Sequence, residues 1–214
     1  MPIPVAATRL LYFPVPKAAC TSIKRAILIH NAQAAGAPSA AQARVHEVAP
    51  TTRFHPLYPV RHLHKRWFCV IRDPVQRVLS AYANRVVFHG ELADLPQGTL
   101  DTAGLPRAPD LETFIRRLPD YARLHAGIDH HTRALTHFLG DRPRRYHRIF
   151  TLPDLETLPA YLKGHGAPDL TLGHEQTGGP RIGPDDLPPA LLADLRRHYA
   201  EDYRIWGPWL TPSP

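Results

Sequence analysis

Cysteine occurs only twice in this chain, at positions 20 and 69. Two thiols cannot build a disulfide framework, and their separation is not that of a metal-ligand pair, so a reducing, cytoplasmic setting is expected. Long apolar runs are also missing: no stretch approaches the roughly 18 to 20 residues of a membrane span. The opening residues "MPIPVAATRLLYF" lack a basic start followed by a long apolar run, so the chain reads as soluble and untargeted. No internal repeat or sustained low-complexity tract is present, which leaves no sign of a repeat array or a disordered half. Acids are outnumbered, 19 Asp and Glu against 26 Lys and Arg, giving +7 with the 14 histidines neutral. That balance points to an anionic ligand, a polyanionic substrate or nucleic acid, without choosing among them.

What is there suits a globular enzyme-sized unit. At 214 residues with 43% hydrophobic side chains, residues 1–214 are expected to form a single domain with a real core. Residues 9–15 form a short apolar run suited to a buried parallel strand, followed by helical spacing over 21–30. "RVHEVAP" reads as a second short strand, and "RWFCVIRDP", from Arg66, as a stronger one that ends at Asp73-Pro74. Proline in a first helical turn is favourable, and Val78, Leu79, Tyr82 and Val86 recur on one face, predicting a helix of about four turns. After an irregular stretch at 88–109, helical patterns return at "DLETFIRRL" and "DHHTRALTHFL". "RIFTL" reads as another strand, and "LPDLETLPAYLKGHG" and "PALLADLRRHYAEDYRIWG" as further helices. Strands alternating with helices argue for an α/β fold with a parallel sheet covered on both faces, and ligands in such sheets lie at the carboxyl ends of the strands.

The stretch "YFPVPKAACTSIKRAI" runs from a strand into a helix through a turn that carries Lys17, Cys20, Thr21 and Ser22 but no glycine. Free N–H groups and the helix dipole favour an anion there. An ATP or GTP loop requires four residues between a glycine and a Gly-Lys-Ser/Thr triplet, and Ala18 and Ala19 stand where small residues are wanted, so the loop fails that pattern. A second junction, "FCVIRDPVQRVLSAY", sets Arg72 at a strand end and Ser80 about two helical turns further on. One phosphate could be gripped by the arginine fork and the hydroxyl together.

Taken in this order, the two junctions resemble those of sulfotransferases, in particular the carbohydrate sulfotransferase branch. "PKAACTSIKRAI" looks like that family's 5′-phosphosulfate loop, and "IRDPVQRVLSAY" is similar to its 3′-phosphate motif. "DHHTRALTHFLGD", "YHRIFTLPDLETLPAYL" and the terminal Tyr-x-x-Asp-Tyr of "YAEDY" extend the likeness along nearly the whole chain. The resemblance implies a P-loop-like three-layer sandwich, a central parallel sheet flanked by helices. It also implies transfer of a sulfuryl group from 3′-phosphoadenosine 5′-phosphosulfate to an acceptor hydroxyl, with a carbohydrate as the leading acceptor and no metal. Lys17, Ala18, Ala19, Cys20, Thr21 and Ser22 would hold the phosphosulfate, Arg72 and Ser80 the 3′-phosphate, and Arg181, in the late loop "HEQTGGPRIG", a further phosphate contact beside the candidate His174. Lys17 would also stabilise the leaving phosphate oxygen.

The acceptor hydroxyl needs a base within hydrogen-bond reach. His46 is the leading candidate, with Glu47 beside it and His55, His62 and His64 behind. Lys24, one turn into the first helix, is left between reaching back to the loop and facing solvent, and Arg77 between ligand and structural ion pair. Cys20 is given no catalytic role. "HLH" at 62–64 could offer two metal ligands on a strand face, and "DHH" at 129–131 more, but no full zinc spacing follows. The basic cluster "RPRRYHR" could face an acidic acceptor or only water. Two other readings stand beside the transferase: a nucleotide kinase, and a non-enzymatic polyanion-binding module. The dispersed basic residues and the lack of any nucleic-acid motif put nucleic acid last. Animal relatives are often membrane-anchored, so a bacterial-type cytoplasmic enzyme is expected.

Overall fold

The computed structural model describes residues 1–38, 44–96, 98–167, 170–173 and 178–210. It is a mixed α/β structure that divides into two compact units. The first comprises Met1–Arg72, Leu135–Gln176 and Ile205–Leu210; the second comprises Asp73–Ala134, Thr177–Arg204 and Thr211–Pro214.

Among the described residues all the strands lie in the first unit. Strands β1 (Ile3–Pro4), β2 (Leu10–Phe13), β3 (Arg66–Ile71) and β4 (Tyr146–Thr151) form one sheet in the order β1-β2-β3-β4. β2, β3 and β4 are parallel, as their continuous apolar runs predict, with Phe13 opposite Cys69 and Trp67 opposite Tyr146. The sheet is nevertheless mixed, because the unexpected two-residue β1 pairs antiparallel with β2. A tight return at 5–9, with Ala7 in a left-handed conformation, makes that edge strand by bringing the chain straight back.

Alternation along the strands sorts two faces. Tyr12, Phe68, Val70 and Phe150 pack with Ile23 and Ile27 of helix α1 (Cys20–Ala34) and with Leu158 and Leu162 of the helix Leu158–Lys163. On the other face Phe13, Trp67 and Tyr146 form an aromatic layer, with ring centroids 4.5 Å apart for Phe13–Trp67 and 5.7 Å for Trp67–Tyr146. Phe54, Tyr58 and the fully buried Trp206 complete that layer. Phe68 and Trp67 are therefore both core residues, in two different cores. That explains why β3 shows no polar face in the sequence.

The stretch "RVHEV" is not a strand. Val45–Val48 is a single helical turn, α2, in which Ala49 N–H bonds to the Val45 carbonyl and only Val45 is buried. β-Branched composition is a weak preference, and contacts with α1 override it. The "HLH" segment likewise is no strand: it follows the turn α3 (Tyr58–Arg61) as a turn before β3.

The second unit is helical. Helix α4 (Pro74–Ala81) starts at Asp73, whose carboxylate accepts from the Gln76 N–H at 3.2 Å, with Pro74 in the first turn. The predicted four-turn α-helix is interrupted: Tyr82–Phe88 is π-helical, with the His89 N–H reaching the Asn84 carbonyl. The wider turn still buries Tyr82 and Val86 in a core with Phe114, Tyr121, Leu191 and Leu195. Two further long helical patterns are also broken. One is divided into Ala126–Thr132 and Leu135–Leu139, the other into Pro189–His198 and Ala200–Trp206. Among the described residues no helix is long and apolar enough to cross a membrane.

The π-turn shapes the neighbouring loop of the same unit. A Cβ on Gly179 would stand 2.4 Å from the Ala83 carbonyl oxygen, and its φ of +104° suits only glycine. Gly179→Ala is expected to destabilise this unit by about 1–3 kcal/mol, because the obstacle is backbone and cannot swing aside. A denaturant midpoint unchanged from the parent would contradict that packing.

Candidate functional site

The glycine-free turn after β2 solves its geometry with non-glycine residues. Lys17 has φ 63° and Ala19 φ 54°, both left-handed, while Ala18 between them is completely buried. Alternating the sign of φ turns successive N–H groups into one concavity, the arrangement that binds anions. Each left-handed alanine or lysine costs about 1–2 kcal/mol, a strain typical of functional turns. Ala19 serves as the N-cap of α1 and offers no side-chain cap, and no acid lies in the first turn. The helix end therefore keeps its N–H groups and positive potential available for a negative ligand. Ala19→Gly is expected to raise stability by about 0.5–1 kcal/mol, the strain released less the entropy of a glycine, as read from chemical denaturation. A fall in stability would contradict the left-handed assignment.

Lys17 is half-buried, and Cys20, Thr21 and Ser22 are buried at the head of α1. Thr21 Oγ1 lies 3.1 Å from Nε2 of His46. The structure thus brings a histidine from the segment between the two junctions onto this turn. Its neighbour Glu47 turns instead to Arg44, in an exposed pair at 3.1 Å. His55 accepts the Leu57 N–H on Nδ1, and His62 packs on Tyr58 with its pKa lowered by burial and then by Lys65 and Arg61. The backbone carbonyl of His64 accepts from Arg9. Of the five candidate bases, His46 is the one with a hydrogen bond to the turn.

On the Ala19 and Ser22 side the turn borders a cavity of about 680 Å³. Its walls include Leu152, Leu155, Leu170 and Leu172. These apolar residues escaped the sequence reading. Their signal was the break between Thr151 and Leu158, where a short 3₁₀ turn follows β4 instead of a continuous helix.

Arg72 is half-buried and leaves the carboxyl end of β3, beside β2, so it and the Lys17 turn leave the same edge of the parallel strands. In the second unit Ser80 is half-buried on α4. Asp73 is engaged twice, accepting from Gln76 as a helix cap and from the Tyr203 hydroxyl at 2.8 Å; burial, and then the Asp73 carboxylate, push the Tyr203 phenol up. Arg77 is 1% exposed and reaches toward the His131 carbonyl. Burial raises the Tyr199 pKa, Arg77 opposes that rise, and the fully buried Asp202 adds to it. Tyr199 donates to the Thr132 carbonyl. The terminal Tyr-x-x-Asp-Tyr thus points inward at 199, 202 and 203, and Arg77 belongs to that buried structural set. Arg181 is exposed in the irregular stretch after Gly179, and His174 lies outside the described residues.

Asp129 of "DHH" bonds Arg133 at 2.7 Å. Among the described residues no group of three or more His, Cys, Asp or Glu is placed to hold a metal ion. Cys20 and Cys69 are free thiols, and burial pushes that of Cys69 well up.

A sequence model described as the sulfotransferase family matches residues 6–171, a span that draws on both units. No curated protein and no solved structure matches this chain.

Proposed function

Since the chain belongs to the sulfotransferase family, we propose that it moves a sulfuryl group from 3′-phosphoadenosine 5′-phosphosulfate to a hydroxyl, with a carbohydrate as the first acceptor to try. The observation that carries this reading is the pairing of a strained, positive-φ turn at a helix N-terminus with the imidazole of His46, 3.1 Å from Thr21. The donor supplies an activated sulfate ester when bound, and the residues present suit it. The turn offers N–H groups, the hydroxyls of Thr21 and Ser22 and the Lys17 ammonium, and the adjoining 680 Å³ cavity has the apolar walls a purine needs.

In this reading Lys17 neutralises the charge that builds on the departing phosphate oxygen as its bond to sulfur breaks. His46 accepts the acceptor's hydroxyl proton on the ring nitrogen that does not face Thr21, as the new oxygen–sulfur bond forms and the old one to the donor's phosphate oxygen breaks. Thr21, within reach of Nε2, accepts from that nitrogen and so fixes the ring's orientation and tautomer. Ala19 and Cys20 contribute backbone N–H groups, while the Ala18 N–H donates to the Val15 carbonyl and Ala18 holds the turn between the two left-handed residues. The family resemblance gives Arg72 and Ser80 the 3′-phosphate and Arg181 a further phosphate contact. It also gives the fold its reading as a P-loop-like three-layer sandwich acting as one domain.

The test is incubation with donor labelled in its sulfate and a panel of sugars and other hydroxyl compounds, alongside calorimetry with adenosine 3′,5′-bisphosphate. Label transfer together with bisphosphate binding supports the reading. Failure to bind the bisphosphate, with or without magnesium, would sink it.

A further inference from the structure

Lys24 is fully buried, although nothing about catalysis has so far required it. Its Nζ donates to the Ala49 carbonyl at 2.6 Å and to Thr51 Oγ1 at 2.7 Å. Both acceptors follow directly on α2, the turn that carries His46. A lone helical turn cannot hold itself in water, since nucleation is costly and α2 is only four residues long. Its flanks are not capped by side chains either. The position of His46 must therefore come from what ties residues 45–51 to the rest of the unit.

One of those ties is the Met1 ammonium, which donates to the Pro50 carbonyl at 2.7 Å; two others run in step along α1. Thr21 and Lys24 are three residues apart on one helix, so they share a face. Their partners His46 and Ala49 are also three residues apart. The segment thus lies along α1 with one contact at the phosphate turn and one a helical turn below. An apolar side chain at 24 would fill the space at lower desolvation cost, but it would not select a register, because only a donor with defined acceptors does that.

We propose that Lys24 is a positioning residue that sets the 45–51 segment in register on α1 and so places His46 at the phosphate turn. This rests on His46 acting as the base, as proposed above. Removing the ammonium lets the segment shift while Val45 and Ala49, both buried, still hold it to the unit.

Lys24→Met and Thr51→Val test it in the full chain, the second removing one acceptor with less risk to folding. For Lys24→Met, kcat should fall about tenfold, short of the roughly 10²-fold that a misplacement of about 1 Å can cost, with KM for donor and the bisphosphate Kd within about twofold of the parent. Thr51→Val should move kcat the same way by less. In carbon-13 spectra of the histidine rings the His46 signal should shift, while those of His147 on β4 and of His165 stay in place. An unchanged kcat and His46 signal in both variants would overturn the proposal. So would a bisphosphate Kd that weakens as much as kcat, because Lys24 would then serve the donor. If the parent protein proves to transfer no sulfate, the proposed function fails separately, and the shift of the His46 signal still reports whether Lys24 positions that segment.

Discussion

Lys17→Ala is expected to lower turnover by about 10²- to 10³-fold, the effect of deleting one preorganised group that stabilises developing charge. The loss should fall on kcat. The ammonium is proposed to meet charge that accumulates as the sulfur–oxygen bond breaks, and adenosine 3′,5′-bisphosphate has no such bond. Its Kd should therefore weaken far less than turnover. Alanine at 17 has the same backbone preference as lysine, so the left-handed turn at φ 63° is under no new strain. Lys17→Arg is not expected to restore the parent rate, since a planar fork cannot stand in for a compact point charge in a turn flanked by the buried Ala18. A folded Lys17→Ala protein with full activity would remove the mechanism.

His46→Gln is expected to cost about 10²- to 10⁴-fold in kcat, the range in which general-base catalysis contributes. Glutamine retains a hydrogen-bonding group for Thr21 but cannot take a proton, so folding and bisphosphate binding should be preserved. Glu47→Gln is the internal control: its carboxylate is exposed and pairs with Arg44, so turnover should stay within about twofold of the parent. If Glu47→Gln falls as far as His46→Gln, the base has been assigned to the wrong neighbour. Steady-state rates on the two variants, beside calorimetric bisphosphate titrations, make the comparison.

The two predictions differ in how much of their basis could be seen in the sequence. The turn that carries Lys17, Thr21 and Ser22 was legible because a strand, a turn and a helix start are local objects, and the residues proposed to bind an anion sit inside one short stretch. Arg72 was legible for the same reason, at the end of an apolar run closed by Asp73 and Pro74. His46 could be named only as one of five candidates. Its 3.1 Å approach to Thr21 joins residues 25 positions apart, and such an approach depends on packing that no local pattern encodes. Lys24 was harder still. A lysine one turn into a helix ordinarily faces water, and its burial follows from the way residues 49–51 fold over it.

The errors have the same origin. The valines of "RVHEV" favour a strand, yet no neighbouring strand is there to pair with, and the segment closes into a turn against α1. The regular apolar spacing through Tyr82 and Val86 predicts an unbroken α-helix, while the chain adopts a π-turn against which Gly179 packs at backbone contact. Arg77, which the sequence left open between ligand and structural pair, is no error: it belongs to a buried set with Tyr199 and Asp202, more than a hundred residues further on.

By itself, then, the sequence determined where the parallel strands run, where the turn proposed to hold an anion lies, and which family the chain resembles, because apolar runs, caps and strand-to-helix turns are built from neighbours. The tertiary structure decided which histidine stands at the turn, which lysine is buried against the segment that follows it, and where helices give way to wider turns. Each of those outcomes depends on a partner distant in sequence, and the free energy that selects it is released only when the two surfaces meet.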